Sequence, residues 1–302
     1  MPYPSPTTYP SGLLFPGLTG WGSSGSPVAL GDLLLNTEDA NGVQWVLEDF
    51  NWDDSPGSTV TVTQRARGDG GTASEAFYKP MVYVLKGAII APTEELGLAA
   101  RNAMAAAVTL DPFQLTVAEG GLVQHSMVQR QDQPIFTRMN QTDRSFSLQV
   151  VAKDPRKFGN LISASTPLPS SSGGRTYPAT YPIVYTGHSE TGIIRVTNTG
   201  NTQAPVWLRI DGPVPAGGWN VTHVGKKQTL TFATSLALAS GEFVTVDMDR
   251  REVLAQGQAA RAGYVTSRGW FSLDPGDNDI AFSAANYSPT AQLTVLTKPS
   301  WS

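Results

Sequence analysis

The last third of the chain consists of short apolar runs separated by turn residues. Between 198 and 296, apolar stretches such as 204–210 and 243–248 alternate with Gly, Pro, Asn and Asp. Hydrophobic runs with these residues at the joints are typical of antiparallel strands connected by tight turns. A domain of this kind mainly displays a surface, so binding and assembly become the leading functional classes.

The first half of the chain predicts several more strands. We expect one strand at 30–36, and a hairpin turn at 41–42 leads into another at 43–47. Over 58–64, Val alternates with Thr at a period of two, as in a strand with one exposed face. The Gly-containing stretch 65–74 predicts a flexible loop. The remaining strands of this half are expected within 76–90, 113–117, 122–130 and 145–152.

One helix is predicted at about 94–108. Thr93 precedes it, and Glu94 and Glu95 lie in its first turn, where carboxylates interact favourably with the helix dipole. Small and apolar residues recur at helical spacing on one face. These residues are Leu96, Ala100, Ala103, Met104 and Ala107. The helix is therefore expected to lie close against a sheet.

Proline, glycine and serine divide the chain into parts. The first ~30 residues are rich in Pro and Gly-Ser steps, which predict an extended N-terminal arm. The Ser-, Gly- and Pro-rich stretch 163–180 predicts a linker or long crossover. We therefore expect a mainly β protein with two β-sandwich-like domains, at 1–162 and 181–302, of which the first contains the helix.

The composition excludes several kinds of chemistry. The chain has 302 residues and no cysteine, which excludes disulfides, thiolate zinc sites and cysteine nucleophiles. Its net charge is −4 and it has no long basic run, so sequence-specific nucleic-acid binding is not expected. No apolar stretch approaches the ~18 residues of a membrane span, and the N-terminus lacks the pattern of a signal peptide.

The polar residues predict no catalytic, metal or cofactor site. His125, His188 and His223 lack the spacing of a metal or catalytic motif. The stretch 274–279 alternates oxygen-bearing side chains, but its Pro-Gly pair favours a reverse turn over a calcium loop. The acids at 247 and 249 are expected to be solvated charges at the end of a strand.

The aromatic residues of the C-terminal half have two interpretations. Trp207 and Trp270 are expected in the core, because a two-sheet sandwich needs large inward side chains. Trp219 follows two glycines and is expected to be exposed. Aromatic faces on a β-sandwich can stack on sugar rings, so Trp219 and Tyr264 are the candidate saccharide contacts.

An ordered set of motifs resembles a known family. A strand ending at 86–91 leads into the helix, and the segment 146–155 ends in Asp-Pro. A C-terminal series then opens with 198–200 (Asn-Thr-Gly) and continues through 240–247 and 270–278. In this order the stretches resemble the distal tail (Dit) proteins of long-tailed (siphovirus) bacteriophages, a phage tail protein family.

The resemblance implies a belt domain that assembles six copies into a ring and a C-terminal galectin-like, jelly-roll sandwich. The homohexameric ring would join the tail tube protein to the tail-tip hub, a Tal-like (tail-associated lysin) protein, and carry receptor-binding proteins. The resemblance also implies a structural virion protein of the tail tip, made in the cytoplasm of the bacterial host, without enzymatic activity or cofactor. The strand at 58–64 would then be completed by a neighbouring subunit.

Two other functions stay open. One is a carbohydrate-binding adhesin of the tail tip, which would recognise host cell-wall saccharide through Trp219 or Tyr264. The other is a glycan-processing enzyme on a β-sandwich. That enzyme needs two facing carboxylates, for which the sequence offers no convincing pair.

Overall fold

The computed structural model describes residues 27–172 and 188–302. The expected N-terminal arm and the last part of the stretch 163–180 lie outside these residues. Within the described parts, the chain divides into two compact units that meet in the sequence between 159 and 160. The prediction of a mainly β protein with one α-helix in its first half is confirmed.

The first unit contains fourteen strands and one α-helix among its described residues. Their bounds are β1 (Val28–Leu30), β2 (Leu33–Leu35), β3 (Thr37–Glu38), β4 (Gln44–Phe50), β5 (Ser58–Thr59), β6 (Val62–Gln64), β7 (Gly71–Ala73), β8 (Phe77–Tyr78), β9 (Met81–Ile90), α1 (Glu94–Ala107), β10 (Phe113–Glu119), β11 (Leu122–Arg130), β12 (Ile135–Arg138), β13 (Arg144–Ala152) and β14 (Lys157–Phe158).

The main sheet of this unit follows the order β2-β1-β10-β11-β13-β9-β4-β3, with antiparallel neighbours. Its two end strands, β2 and β3, are separated in the chain only by Asn36, which has a positive φ of 57°. The Asn36 N–H donates to the Trp45 carbonyl at 2.6 Å, and its Oδ1 accepts from the Leu47 N–H at 2.9 Å. The sheet therefore curls back on itself as in a barrel.

Helix α1 begins where the sequence predicts. The Thr93 hydroxyl accepts the Leu96 N–H at 3.3 Å and caps the first turn. Gly97, Ala100 and Met104 form its buried stripe. The prediction for Ala103 is wrong, because Ala103 is exposed and Gly97 occupies the stripe instead. Glycine is required at that position, since a Cβ there would overlap the Thr142 carbonyl.

Residues 57–79 form a hairpin, which we call the arm. Strand β5 pairs with β8, and β6 pairs with β7. The expectation of an unpaired strand at 58–64 is therefore wrong, because its partner lies in the same chain. The predicted loop at 65–74 is shorter than expected, since residues 71–73 are strand. Every residue from 57 to 80 is exposed.

The second unit contains strands β15 to β28 among its described residues. Their bounds are β15 (Ile162–Pro167), β16 (Ser170–Ser172), β17 (His188–Glu190), β18 (Ile193–Asn198), β19 (Val206–Asp211), β20 (Trp219–His223), β21 (Gln228–Phe232), β22 (Phe243–Asp247), β23 (Glu252–Ala255), β24 (Ala259–Ala260), β25 (Val265–Arg268), β26 (Gly276–Ala284), β27 (Gln292–Thr297) and β28 (Ser300–Trp301).

Two sheets enclose the core of this unit. One has the order β15-β27-β19-β22-β23-β24 and the other β18-β26-β20-β21-β25. Their inner residues form one apolar cluster, in which Trp219, Phe232 and Phe282 are the largest side chains. The architecture is a β-sandwich. Strand β15 belongs to it, although it lies largely in the stretch 163–180 that the sequence suggests is a linker.

The Asn-Thr-Gly motif forms hydrogen bonds within the loop 198–202 and to Ser300 of the last strand. Asn198 is only 1% exposed, and its Nδ2 donates to the Thr202 carbonyl at 2.8 Å. Its Oδ1 accepts the N–H groups of Gly200 at 3.0 Å and Ser300 at 3.4 Å. A Cβ on Gly200 would overlap the Ser300 backbone. In this motif the buried Asn198 amide forms hydrogen bonds with backbone groups of the loop and of Ser300, and the glycine leaves room for the Ser300 backbone to pack against the loop.

Candidate functional site

Trp219 lies in the core of the sandwich. It opens β20, in which Trp219, Val221 and His223 are buried and the residues between them are not. The exposed fraction of Trp219 is 0%, and its ring stacks on Phe232 at 3.7 Å between centroids. The expectation that Trp219 is exposed is wrong, because the period of two along the strand directs its side chain inward. In this conformation the ring has no face open to a sugar.

Tyr264 is at the surface, with 36% of the side chain exposed. It ends a short 3₁₀ turn, Ala262–Tyr264, just before β25. The Arg261 guanidinium lies 5.9 Å from its ring centroid. Of the two candidate saccharide contacts, the structure therefore leaves Tyr264 accessible and places Trp219 inside, and the two do not form one aromatic surface.

A shallow groove crosses the outer face of the five-stranded sheet. Asn220 pairs with Thr231 on one side and with Ser283 on the other, so these small polar side chains lie side by side. Together with Thr234 and Thr266 they line the groove. Asn220 Oδ1 is buried and has no hydrogen-bond partner among the described residues. Asn220, Thr231 and Ser283 each alternate with buried residues of their own strand and therefore face outward. The same alternation can be read from the sequence.

Ion pairs cover the neighbouring part of this face. Arg195 Nε donates to Asp279 Oδ1 at 2.8 Å, and Arg195 Nη1 lies 4.0 Å from Asp277 Oδ2. The hydrogen bond from Arg195 holds the pKa of Asp279 below its usual value, and the same bond raises the pKa of Arg195. Both side chains are solvent-exposed, so the pairing orders the surface without building a buried charged site.

Trp207 and Trp270, the two tryptophans expected in the core, are only partly buried. In β19, Val206, Leu208 and Ile210 face the core, so Trp207 lies on the opposite face. Its Nε1 donates to Asp247 Oδ2 at 3.0 Å. Trp270 packs against the edge of the core and lies outside the strands. The expected core position is wrong for Trp207, because the alternation of its strand turns the side chain away from the core. For Trp270 the expected strand is wrong, and the side chain is only partly buried against the core.

The remaining polar candidates take structural roles. His125 is buried near Phe158, whereas His223 Nε2 lies 3.0 Å from Asn278 Oδ1. The side chain of His188 lies outside the described residues. Asn278 also holds the turn that begins at Asp274, because its Nδ2 donates to the Asp274 carbonyl at 2.8 Å and its Oδ1 accepts the Asp274 N–H at 3.0 Å. These bonds are those of a capped reverse turn.

Residues 27–172 and 188–302 contain no group of three or more His, Asp or Glu arranged to hold a metal ion. None of the helices among them has the length and apolarity to cross a membrane. The first unit also carries two exposed surfaces and one buried phenol.

The first surface is the arm. Four large apolar side chains, Val60, Val62, Phe77 and Tyr78, are between 45% and 65% exposed. Arg65 and Arg67 lie at its tip, with Asp69 as the acid there. The second surface is a shallow groove, which we call the acidic groove. Its lining includes Leu47, Phe50, Trp52, Glu48, Asp53 and Glu119.

A buried aromatic cluster supports the acidic groove. Trp52 stacks on Tyr83 at 5.2 Å between centroids, and Lys157 Nζ lies 5.2 Å from the Trp52 ring. Burial lowers the pKa of Lys157, and the carboxylates of Asp53 and Asp54 oppose this change. Burial raises the pKa of Tyr83 to about 12, with the nearby Ser126 hydroxyl acting in the opposite direction. Buried aromatic packing at Trp52 and Tyr83 therefore lies beneath the groove.

A family model matches part of the second unit. Residues 199–295 match the family model described as siphovirus-type tail component, C-terminal domain. No curated protein sequence is similar enough to the chain to count as a relative.

A solved structure of 11% sequence identity shares the fold. The crystal structure of SPP1 Dit (gp 19.1), described as a paradigm of hub adsorption apparatus in Gram-positive infecting phages, superposes with a TM-score of 0.61. It is 11% identical and covers 84% of this chain and 93% of that chain. Two structures of the phage p2 baseplate in its activated conformation, with Sr and with Ca, give TM-scores of 0.46 and 0.45. Both are 11% identical and cover 90% of this chain and 97% of theirs.

The family match lies within the sandwich and begins in the Asn-Thr-Gly loop, and the fold match covers 84% of the chain. Residues 199–295 therefore resemble the C-terminal domain of siphovirus-type tail components, and the chain shares its fold with SPP1 Dit.

Proposed function

We propose that the protein is a structural component of the distal tail of a long-tailed bacteriophage and that six copies form a ring. The ring joins the tail tube to the tail-tip hub and carries receptor-binding proteins. The observation that carries the proposal is the family match at 199–295 together with the fold shared with SPP1 Dit over 84% of the chain. The proposal assigns the protein no catalytic step and no cofactor.

The surfaces of the first unit support self-assembly. A contact between two different patches of the same chain is heterologous, and it generates a closed ring when the rotation between copies closes. The arm and the acidic groove are two such patches, one with exposed apolar residues and arginines and the other with acids. Large exposed apolar side chains on a soluble protein mark surfaces that become covered on assembly.

The test is the oligomeric state of the purified full chain. Mass photometry is expected to show a species of about 190 kDa, six times the 32.2 kDa chain. Negative-stain electron microscopy is expected to show six-fold rings. A chain that stays monomeric at high concentration, and forms no ring after addition of its tail tube and hub partners, would refute the proposal.

A second candidate function is saccharide binding by the C-terminal domain. The groove lined by Asn220, Thr231 and Ser283 favours it, because it presents hydroxyl and amide groups and an amide oxygen without a partner among the described residues. Calorimetry with host cell-wall polysaccharide tests this role. Loss of binding in Asn220→Ala and Tyr264→Ala would support it, whereas absence of heat change with the unsubstituted protein would leave the structural role alone.

A further inference from the structure

We infer that the arm of one copy docks into the acidic groove of the next copy in the ring. The inference rests on the proposed ring and names the residues that would form its contact. It concerns the first unit alone.

The arm needs a partner. A two-stranded hairpin without further packing is marginally stable in water. In this chain all of residues 57–80 are exposed, so the arm is not packed on the rest of its own unit. Phe77 and Tyr78 are 64% and 54% exposed, which is unfavourable for aromatic side chains unless another surface covers them.

The composition of the acidic groove fits the arm. Leu47 and Phe50 are partly buried and offer apolar surface, while Glu48, Asp53 and Glu119 are exposed acids around it. Asp49, which also lines the groove, is already paired with Lys86 at 2.9 Å. Asp53 lies near Lys157, so Glu48 and Glu119 give the groove the negative charge that suits a tip carrying two arginines and one acid.

The arm cannot fill its own groove. Asp53 lines the groove and lies only four residues before the arm begins, so the groove is at the base of the arm. The tip at 65–70 is about eight residues further along a paired strand, which corresponds to roughly 25 Å at about 3.3 Å per residue. A tip held at that distance meets a groove of the same kind only on another copy. The contact is then head-to-tail, as a ring requires.

Charge reversal tests the contact. Arg65→Glu with Arg67→Glu, and separately Glu48→Lys with Glu119→Lys, are each expected to raise the concentration needed for ring formation by about tenfold or more, because like charges would face each other. Combining the four substitutions is expected to restore most of the assembly. The matched control is Arg251→Glu with Arg268→Glu, which changes the net charge equally on exposed arginines of the second unit.

A covalent test does not depend on the stability of these variants. The chain has no cysteine, so single cysteines can be introduced without background. Mixing Arg67→Cys protein with Glu48→Cys protein under mild oxidation is expected to give a disulfide-linked pair of chains. Mixing Arg67→Cys with Arg251→Cys protein is the control and is expected to give no such heterologous link.

The outcomes separate the inference from the proposed function. Rings that form normally, are unaffected by either charge reversal and give no link between positions 67 and 48 would overturn the inference and leave the proposed ring intact. A full chain that never associates would overturn both. Rings that weaken on either reversal, recover in the combined variant and link 67 to 48 would establish the contact.

Discussion

Replacing Asn198 by alanine tests whether the Asn-Thr-Gly motif acts through its buried hydrogen bonds. The Asn198 amide donates a hydrogen bond to the Thr202 carbonyl and accepts hydrogen bonds from the N–H groups of Gly200 and Ser300. It also lies 3.4 Å from the Leu273 carbonyl, but that group accepts the Ala204 N–H at 2.9 Å and keeps a partner. Asn198→Ala therefore leaves three backbone groups without their partner.

Each buried group left without a partner costs about 1–3 kcal/mol, less where water can reach it. Ser300 is fully buried, whereas Gly200 and Thr202 are partly exposed, so we expect a total loss of about 3 kcal/mol. Since about 1.4 kcal/mol corresponds to tenfold, amide protection in the second unit should fall by about a hundredfold.

Hydrogen-exchange mass spectrometry is the appropriate assay, because it reports on peptides of β18 and β19 separately from the first unit. Thr199→Ala, at an exposed neighbouring position, is the control and should change stability by less than about 0.5 kcal/mol. If protection in Asn198→Ala stays within about threefold of that control, the motif does not stabilise the unit through these bonds.

Three further predictions concern the helix, the core and a buried tyrosine. Gly97→Ala should lower the melting temperature, because the new Cβ would overlap the Thr142 carbonyl. Without this overlap, alanine in place of glycine would stabilise a helix by about 1 kcal/mol, so a rise in melting temperature would contradict the prediction. Trp219→Ala should lower the free energy of unfolding by about 3–5 kcal/mol, as measured by denaturant unfolding, whereas Tyr264→Ala should change it by less than about 0.5 kcal/mol. Similar losses for the two variants would show that Trp219 is not a core residue. Burial raises the pKa of Tyr83 to about 12, so between pH 10 and 12 the folded state keeps a proton that the unfolded state loses. The free energy of unfolding should therefore fall as pH rises from about 10 to 12. Tyr83→Phe should reduce that fall, and an unchanged pH profile of stability would refute the assignment.

The elements that sequence reasoning predicted best depend on local chemistry. Helix α1 was recognisable because a capping Thr, two acids and an apolar stripe all lie within about fifteen consecutive residues. Strand β9 was recognisable because it is rich in Val, Tyr and Ile, and β13 because apolar residues alternate with polar ones along most of it.

The errors concern which face of a strand a residue occupies. Trp219 and Trp207 are of equal size, yet only Trp219 is buried, because each follows the inward or outward parity of its own strand. Flanking glycines and residue size do not determine that parity. Trp219, Val221 and His223 alternate with polar residues, and this alternation indicates that they share one face of the strand. A strand of five residues beside a turn is too short to show from the sequence which face is buried.

The sequence by itself determined the fold class, the position of the helix and the Asn-Thr-Gly motif at 198–200, because each depends on neighbours within a few residues. Tertiary structure alone decided that the main sheet closes at Asn36, that the arm pairs with itself and stays exposed, and that the acidic groove forms from β4 and β10. Those features join residues that are distant in the chain, and their pairing depends on strand register and burial, which no local pattern encodes.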